Sequence, residues 1–250
     1  MARYKLTVAY DGTDYCGFQI QPNGLPTIEG ELRDALTKLL GQETRVIGAS
    51  RTDAGVHAYG NVAVFDADTT IPGDRFSYAL NTILPPAVKI QKSEEVDARF
   101  HPQYDAKQKT YEYHVFISEH QVPTALRYAH HVKDLPDLGA IGDAAGYLIG
   151  EHDFTSFCSA KTEKENKVRT IYELQNRIEE RGDGRYEWIL SVTGNGFLYN
   201  MVRILAGTLY FVGIGKIGPE EIPGILAAKD RARAGMTFPP NGLFLVEIQY

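Results

Sequence analysis
The sequence predicts an α+β fold of two similar halves, residues 1–105 and 106–250, that share a central, mostly antiparallel sheet with a cleft at their junction. Three observations lead there. Short runs rich in β-branched and aromatic residues alternate with stretches whose apolar residues recur every three or four positions. In the first half they follow the order strand, helix, strand, strand, helix, strand, which is ferredoxin-like. In the second half strand, helix, strand, strand, helix returns, with a further helix before a last strand.

A chain of 250 residues with 43% hydrophobic and 23% charged residues is long enough for two intimately packed halves around a sizeable core. The N-terminus runs directly into a strand pattern, and no stretch approaches the roughly 20 apolar residues of a membrane span. A cytoplasmic protein is the expectation. Cys16 and Cys158 belong to no paired motif, which argues against a zinc site and offers no disulfide framework. No glycine-rich phosphate or dinucleotide loop follows a strand, so no nucleotide cofactor is expected. The net charge of -6 lowers the expectation of a nucleic-acid partner without excluding one, because phosphate contacts need only a local basic groove.

Residues 4–10 alternate as an opening strand that stops at Asp11-Gly12. The next segment, Tyr10-Asp11-Gly12-Thr13-Asp14-Tyr15-Cys16-Gly17-Phe18-Gln19, sets aromatics between glycines in a polar loop. Thr27 can cap a helix whose core stripe is Ile28, Leu32, Ala35, Leu36 and Leu39, and Gly41 ends it. Residues 43–47 and 61–65 read as strands, 73–80 as a second helix, and 88–93 as the strand after Pro85-Pro86.

Between the strands at 43–47 and 61–65 lies Gly48-Ala49-Ser50-Arg51-Thr52-Asp53-Ala54-Gly55-Val56-His57-Ala58. Asp53 is its sole carboxylate, with Arg51 two residues before and Gly55 two after. Such a loop can hold an ionised acid near a cation on a backbone free to turn sharply. Asp beside Gly also caps ordinary turns, and the residues alone leave both readings open.

Asp97-Ala98-Arg99-Phe100-His101-Pro102 links the halves, followed by Lys107 and Lys109; Arg99 and His101 can be solvated linker residues. In the strand at 109–116, Tyr111, Tyr113 and Val115 share a face, as core residues do. A helix spans 137–149 and ends at Gly150, followed by a loop over 151–157. His152 and Asp153 are too few for a metal site, which leaves a capping or packing role. Residues 161–169 form a charged loop in which Glu163 and Glu165 dilute four cations.

Strands at 170–178 and 186–193 meet through Arg181-Gly182-Asp183-Gly184, a hairpin turn. Asn195-Gly196-Phe197-Leu198-Tyr199-Asn200-Met201-Val202-Arg203 enters a helix with Met201, Ile204, Leu205, Thr208 and Leu209 along one side. Arg203 adjoins that stripe, where an arginine can simply snorkel. A helix over 219–228 starts at Pro219 and is followed by Lys229, Arg231 and Arg233. The final strand lies in Pro239-Pro240-Asn241-Gly242-Leu243-Phe244-Leu245-Val246-Glu247.

These motifs, in this order and across nearly all of the chain, resemble the tRNA pseudouridine synthase A family. The resemblance implies an isomerase that converts uridine to pseudouridine in the anticodon stem-loop (positions 38–40) of tRNA, with no cofactor and no metal, as a homodimer. Residue by residue it implies Asp53 as the nucleophile and Arg203 as its ion-pair partner. It implies Tyr111 against the target base, with a possible part in proton transfer. Arg51 would fill the space left by a flipped base, Arg99 would lie beside the RNA, and Leu243 would make an apolar contact at the active site. Such chemistry suits an aspartate, whose reference pKa near ~3.9 leaves it ionised at neutral pH, while a paired arginine opposes the rise that burial brings. Attack on the base and attack on the ribose both remain open.

Two other readings compete. Ferredoxin-like sheets with exposed aromatics also serve as non-catalytic RNA-binding modules. A metal-dependent hydrolase would draw on Asp53, His57 and His101.

Overall fold
The computed structural model describes residues 1–22, 24–162 and 164–250, so Glu163 of the charged loop lies outside the described residues. The chain runs β1 (Ala2–Tyr10), α1 (Ile28–Leu40), β2 (Val46–Gly48), β3 (His57–Ala67), α2 (Phe76–Asn81), β4 (Val88–Val96), β5 (Gln108–Ile117), β6 (His130–Val132), α3 (Leu138–Gly146), β7 (Gly150–Asp153), β8 (Val168–Gly182), β9 (Arg185–Gly194), α4 (Met201–Gly213), α5 (Ile222–Ala228) and β10 (Leu243–Gln249). The α+β class and the strand-helix-strand-strand-helix-strand order of the first half are as expected. The chain divides into two compact units, Met1–Lys107 with Phe244–Tyr250, and Gln108–Leu243. The C-terminal seven residues thus group with the first unit, whereas sequence order places them in the second half.

In the first unit the strand order is β4, β1, β3, β10. β1 runs antiparallel to both β3 and β4. The other edge of β3 is shared: Phe244 and Leu245 of β10 pair in parallel with His57 and Ala58, while β2 pairs antiparallel with residues 63–65. β3 is longer than expected and begins at His57, because strand pairing reaches back to the end of the Asp53 loop. α1 starts and stops where its signals lie. The Thr27 hydroxyl accepts from Gly30 N–H, and Gly41 closes the helix in the left-handed region at φ 71°. Ile28, Leu32 and Leu36 are buried, and Tyr4, Phe65 and Phe76 form a ring cluster with centroids 4.7–5.3 Å apart.

In the second unit β5 pairs with β9, β9 with β8, and β8 with β7, all antiparallel, and β6 adds in parallel to β5. The hairpin between β8 and β9 turns at Asp183 and Gly184, both with positive φ (55° and 68°), as a two-residue turn matched to strand twist requires. Two readings need correction. The helix expected over 137–149 stops at Gly146, since Gly142 and Gly146 weaken its end, and Gly150, expected as the helix stop, joins residues 151–153, expected as loop, in β7. β6 was not expected at all; three residues carry too little pattern. Asp153 accepts from the backbone N–H and hydroxyl of Thr155 and pairs with Lys229 at 2.7 Å, which is the capping role anticipated. Tyr113 is a core residue, fully buried with its hydroxyl donating to the Pro239 carbonyl at 2.6 Å.

Lys109, on β5, carries a testable charge. Burial, aided by the field of Lys164, lowers its pKa from 10.5 to about 8. Above pH 8 the folded chain has released this proton while the unfolded chain retains it to about pH 10. The Lys109 contribution to stability therefore rises with pH across that window. Urea denaturation at pH 7.5 and 9.5 should show a positive pH slope that is smaller in Lys109→Met; equal slopes in both proteins would contradict the assignment.

Candidate active site
The segment from Ala49 to Val56 connects β2 to β3, and a set of contacts within the first unit holds it. Its approach is held by Ala49 N–H donating to the Val62 carbonyl at 2.8 Å, which extends the ladder. The Thr52 carbonyl accepts from Phe18 N–H at 3.0 Å, and Gly55 N–H donates to the Tyr15 carbonyl at 3.3 Å. Val56 N–H closes a turn onto the Asp53 carbonyl at 3.1 Å. The aromatic loop after β1 is therefore the wall against which the Asp53 loop is pressed.

Glycine makes that contact possible at two positions. A side chain at Gly12 would place its first carbon 2.0 Å from the Val56 carbonyl oxygen, and one at Gly17 would lie 2.6 Å from the Thr52 carbonyl oxygen. Gly17 also sits at φ 91°, in the region that side chains avoid.

Beneath the loop lies a buried polar network. The Tyr10 hydroxyl is 2.7 Å from the Thr52 hydroxyl. The Asn61 amide donates to the Tyr10 oxygen and to the Ser50 carbonyl, both at 3.0 Å, and its own oxygen accepts from Val62 N–H. His57 is 1% exposed, and its Nδ1 accepts from Gly12 N–H at 3.1 Å and lies 3.2 Å from Asp11. Its ring stacks on Phe244 at 4.7 Å, and Phe244 stacks in turn on Tyr59. Thus His57 is a buried brace. Arg51 is exposed and Asp53 half-buried, while Thr52 between them is buried.

Of Thr52, His57 and Asn61, the sequence singles out His57 alone, as part of the competing metal-dependent hydrolase, and it points to no site role for Thr52 or Asn61. Asn61 carried the one usable signal, an asparagine within a β-rich run, where that residue is depleted. Asn61→Ala is expected to lose about 2–4 kcal/mol, since it strips partners from buried polar groups and leaves a void. Equilibrium denaturation, with kcat measured alongside, tests whether the loss also loosens the loop; wild-type stability and kcat would refute the bracing role.

The second unit carries Tyr111, Arg203 and Leu243. Tyr111 faces the buried side of β5, 7% exposed, with its ring edge-on to Phe197 at 5.2 Å. Phe197 is therefore an aromatic neighbour of Tyr111 that the sequence reading did not single out. Arg203 follows Asn200, whose left-handed backbone (φ 63°) opens α4. Its Nε donates to the Phe238 carbonyl at 2.6 Å and its Nη1 to the Asn200 side-chain oxygen at 2.7 Å. It is held from two sides and does not snorkel freely. Leu243 begins β10, 7% exposed. In the first unit, Arg99 is almost fully exposed and, among the described residues, paired locally with Asp97 at 3.2 Å.

Among the described residues no three His, Cys, Asp or Glu side chains gather as a metal site would require. Among them, no helix is long and apolar enough to cross a membrane.

A family model for tRNA pseudouridine synthase matches residues 6–105 and 144–250. The chain is 47% identical over 250 residues to the tRNA pseudouridine synthase A of Ruminiclostridium cellulolyticum, covering 100% of both chains. It is 49% identical over 252 residues to that of Brevibacillus brevis, again covering 100% of both. Against the Bacillus subtilis protein of the same name, identity is 46% over 250 residues, with 99% of each chain covered.

Proposed function
The chain belongs to the tRNA pseudouridine synthase family, and from that premise we propose that it isomerises uridine to pseudouridine in the anticodon stem-loop of tRNA, with Asp53 as the nucleophile. The observation that carries the residue assignment is the bracing of the Arg51-Thr52-Asp53 segment. The backbone and the middle side chain are fixed from beneath, which holds the flanking Arg51 and Asp53 in place on one short loop.

The reaction breaks the bond between uracil and ribose, turns the base, and rejoins it through carbon. It needs a group that traps an electrophilic carbon and walls that keep the detached base. Asp53 supplies the trap as an ionised carboxylate. Arg203 is assigned as its ion-pair partner, which keeps the carboxylate charged where burial would otherwise protonate it. Removing a stem uridine from its stack costs roughly a few kcal/mol, and the exposed guanidinium of Arg51 suits the vacated space. Tyr111 with Phe197 and Leu243 form apolar walls for the base, and Arg99 reaches the RNA backbone. tRNAs of differing sequence are then recognised by shape and phosphate position. A homodimer and a cytoplasmic location complete the reading, on the family's pattern.

Purified protein incubated with unmodified tRNA transcript should form pseudouridine without added cofactor. Binding of the same transcript, with no product over several tRNAs, would instead favour the RNA-binding module.

A further inference from the structure
The first unit holds an open cavity of about 670 Å³ on the Arg51 side of the loop. Phe18, Arg45, Arg51, His101 and Tyr104 are among its walls. We propose that this cavity takes one unpaired nucleotide of the RNA next to the target uridine, its base stacked on Tyr104 and its phosphate against Arg45. The proposal rests on the reading that RNA is bound beside Asp53.

Two independent features argue for it. The first is a ready-made stacking platform. Tyr104 is 77% exposed, yet its ring is ordered against His101 with centroids 4.1 Å apart and planes 25° from parallel. The His101 ring is itself clamped, since Nδ1 accepts from the backbone N–H groups of Gln103 and Tyr104. His101 N–H donates to Asp105, whose own N–H returns to the His101 carbonyl, so the 101–105 turn is closed on itself. An aromatic face so held loses little freedom when a base covers it, and stacking on it tolerates any base.

The second feature is charge without partners. Arg45 and Arg51 are both exposed, and among the described residues neither enters an ion pair or a side-chain hydrogen bond. This stands out in a chain of net charge -6. The other arginine of the wall, Arg33, is paired with Asp34 at 2.7 Å. Of the two wall carboxylates, Glu29 is spent on Ile20 N–H at 2.8 Å, and Glu43 is exposed at the rim. The Arg45 guanidinium beside an aromatic face fits one phosphate and one base, with Arg51 adding positive charge nearby, and the volume is that of a small-ligand cleft. Arg51 is two residues from Asp53, at most about 7 Å along the chain, so a nucleotide here adjoins the reacting one.

The test uses stem-loop RNAs carrying 2-aminopurine either in an unpaired position next to the target uridine or within a base pair. Binding is followed on the full chain bearing Asp53→Asn, so that turnover does not interfere. Fluorescence of the unpaired probe should be quenched on binding, and the quenching should vanish with Tyr104→Ala and survive Tyr104→Phe. In the catalytically intact chain, Tyr104→Ala should raise KM for tRNA about tenfold. Arg45→Gln should lower the salt dependence of binding by about one phosphate contact.

If Tyr104→Ala keeps its melting temperature, the quenching and the wild-type KM, the proposal is overturned, while product formation by the parent chain leaves the nucleophile reading intact. Quenching lost on Tyr104→Ala in a protein that makes no pseudouridine supports the cavity and removes the synthase reading. Equal dependence of paired and unpaired probes on Tyr104 overturns the claim that the nucleotide is unpaired.

Discussion

Asp53→Asn should bind tRNA close to wild-type affinity and lose pseudouridine formation by at least about 10⁴-fold, as removal of a group central to covalent catalysis does elsewhere. The hydrogen bonds described as bracing the loop come from the backbone and from its neighbours: Thr52 to Tyr10 and Phe18, Gly55 to Tyr15, Val56 to the Asp53 carbonyl. An amide of the same shape leaves these in place and removes the charge and the nucleophilic oxygen. Single-turnover product formation, with filter binding of the same tRNA, separates the two effects. Equal turnover by both proteins would end the assignment of Asp53, whatever the family. A parallel loss of binding would mean that the carboxylate shapes the loop rather than attacks.

The second large effect is expected from adding a single methyl group at Gly12. The new carbon would lie 2.0 Å from the Val56 carbonyl oxygen, a contact between two backbones with no flexible side chain to yield. One loop has to retreat, at a cost of about 1–3 kcal/mol in stability. The retreat matters more for rate than for folding. Gly12 N–H also donates to His57, so the movement displaces the brace under the Asp53 loop. A shift of about 1 Å in a reacting group costs about 100-fold. Gly12→Ala should therefore lower kcat about 100-fold while remaining folded. Gly142→Ala is the matched control, in α3 with no atom within 4 Å of the added carbon, and should gain about 0.5–1 kcal/mol. Wild-type kcat in Gly12→Ala would show that the contact between the two loops does not set the position of Asp53.

Much of this architecture is written in local signals. α1 is bounded by Thr27 and Gly41 and striped with Ile28, Leu32 and Leu36; the Asp183-Gly184 turn, the first-half order and the buried side of α4 are equally legible. The elements that escaped are those whose pattern is short or supplied by a neighbour. β6 is three residues long, β7 is a polar segment made a strand by β8, and β3 extends back to His57 because β10 pairs there. Asp53 draws attention by its setting, but its role as nucleophile comes from the resemblance, as do the roles of Arg203, Tyr111 and Leu243. The brace of Tyr10, Thr52 and Asn61 joins residues up to 51 positions apart, a relation that no window of sequence contains.

The pairing of Phe244 and Leu245 with His57 and Ala58 also bears on how the protein is made. Translation delivers the N-terminal strands first, and most chains fold in that order. Here, however, the ring that packs on His57 and the strand that covers the start of β3 are synthesised only after the whole of the second unit. Until then that edge of β3 is open, a liability for mispairing in the nascent chain. A prematurely terminated product would carry the Asp53 motif without the strand that supports it. The start of β3 at the end of the Asp53 loop thus gains its last strand only when synthesis is nearly complete.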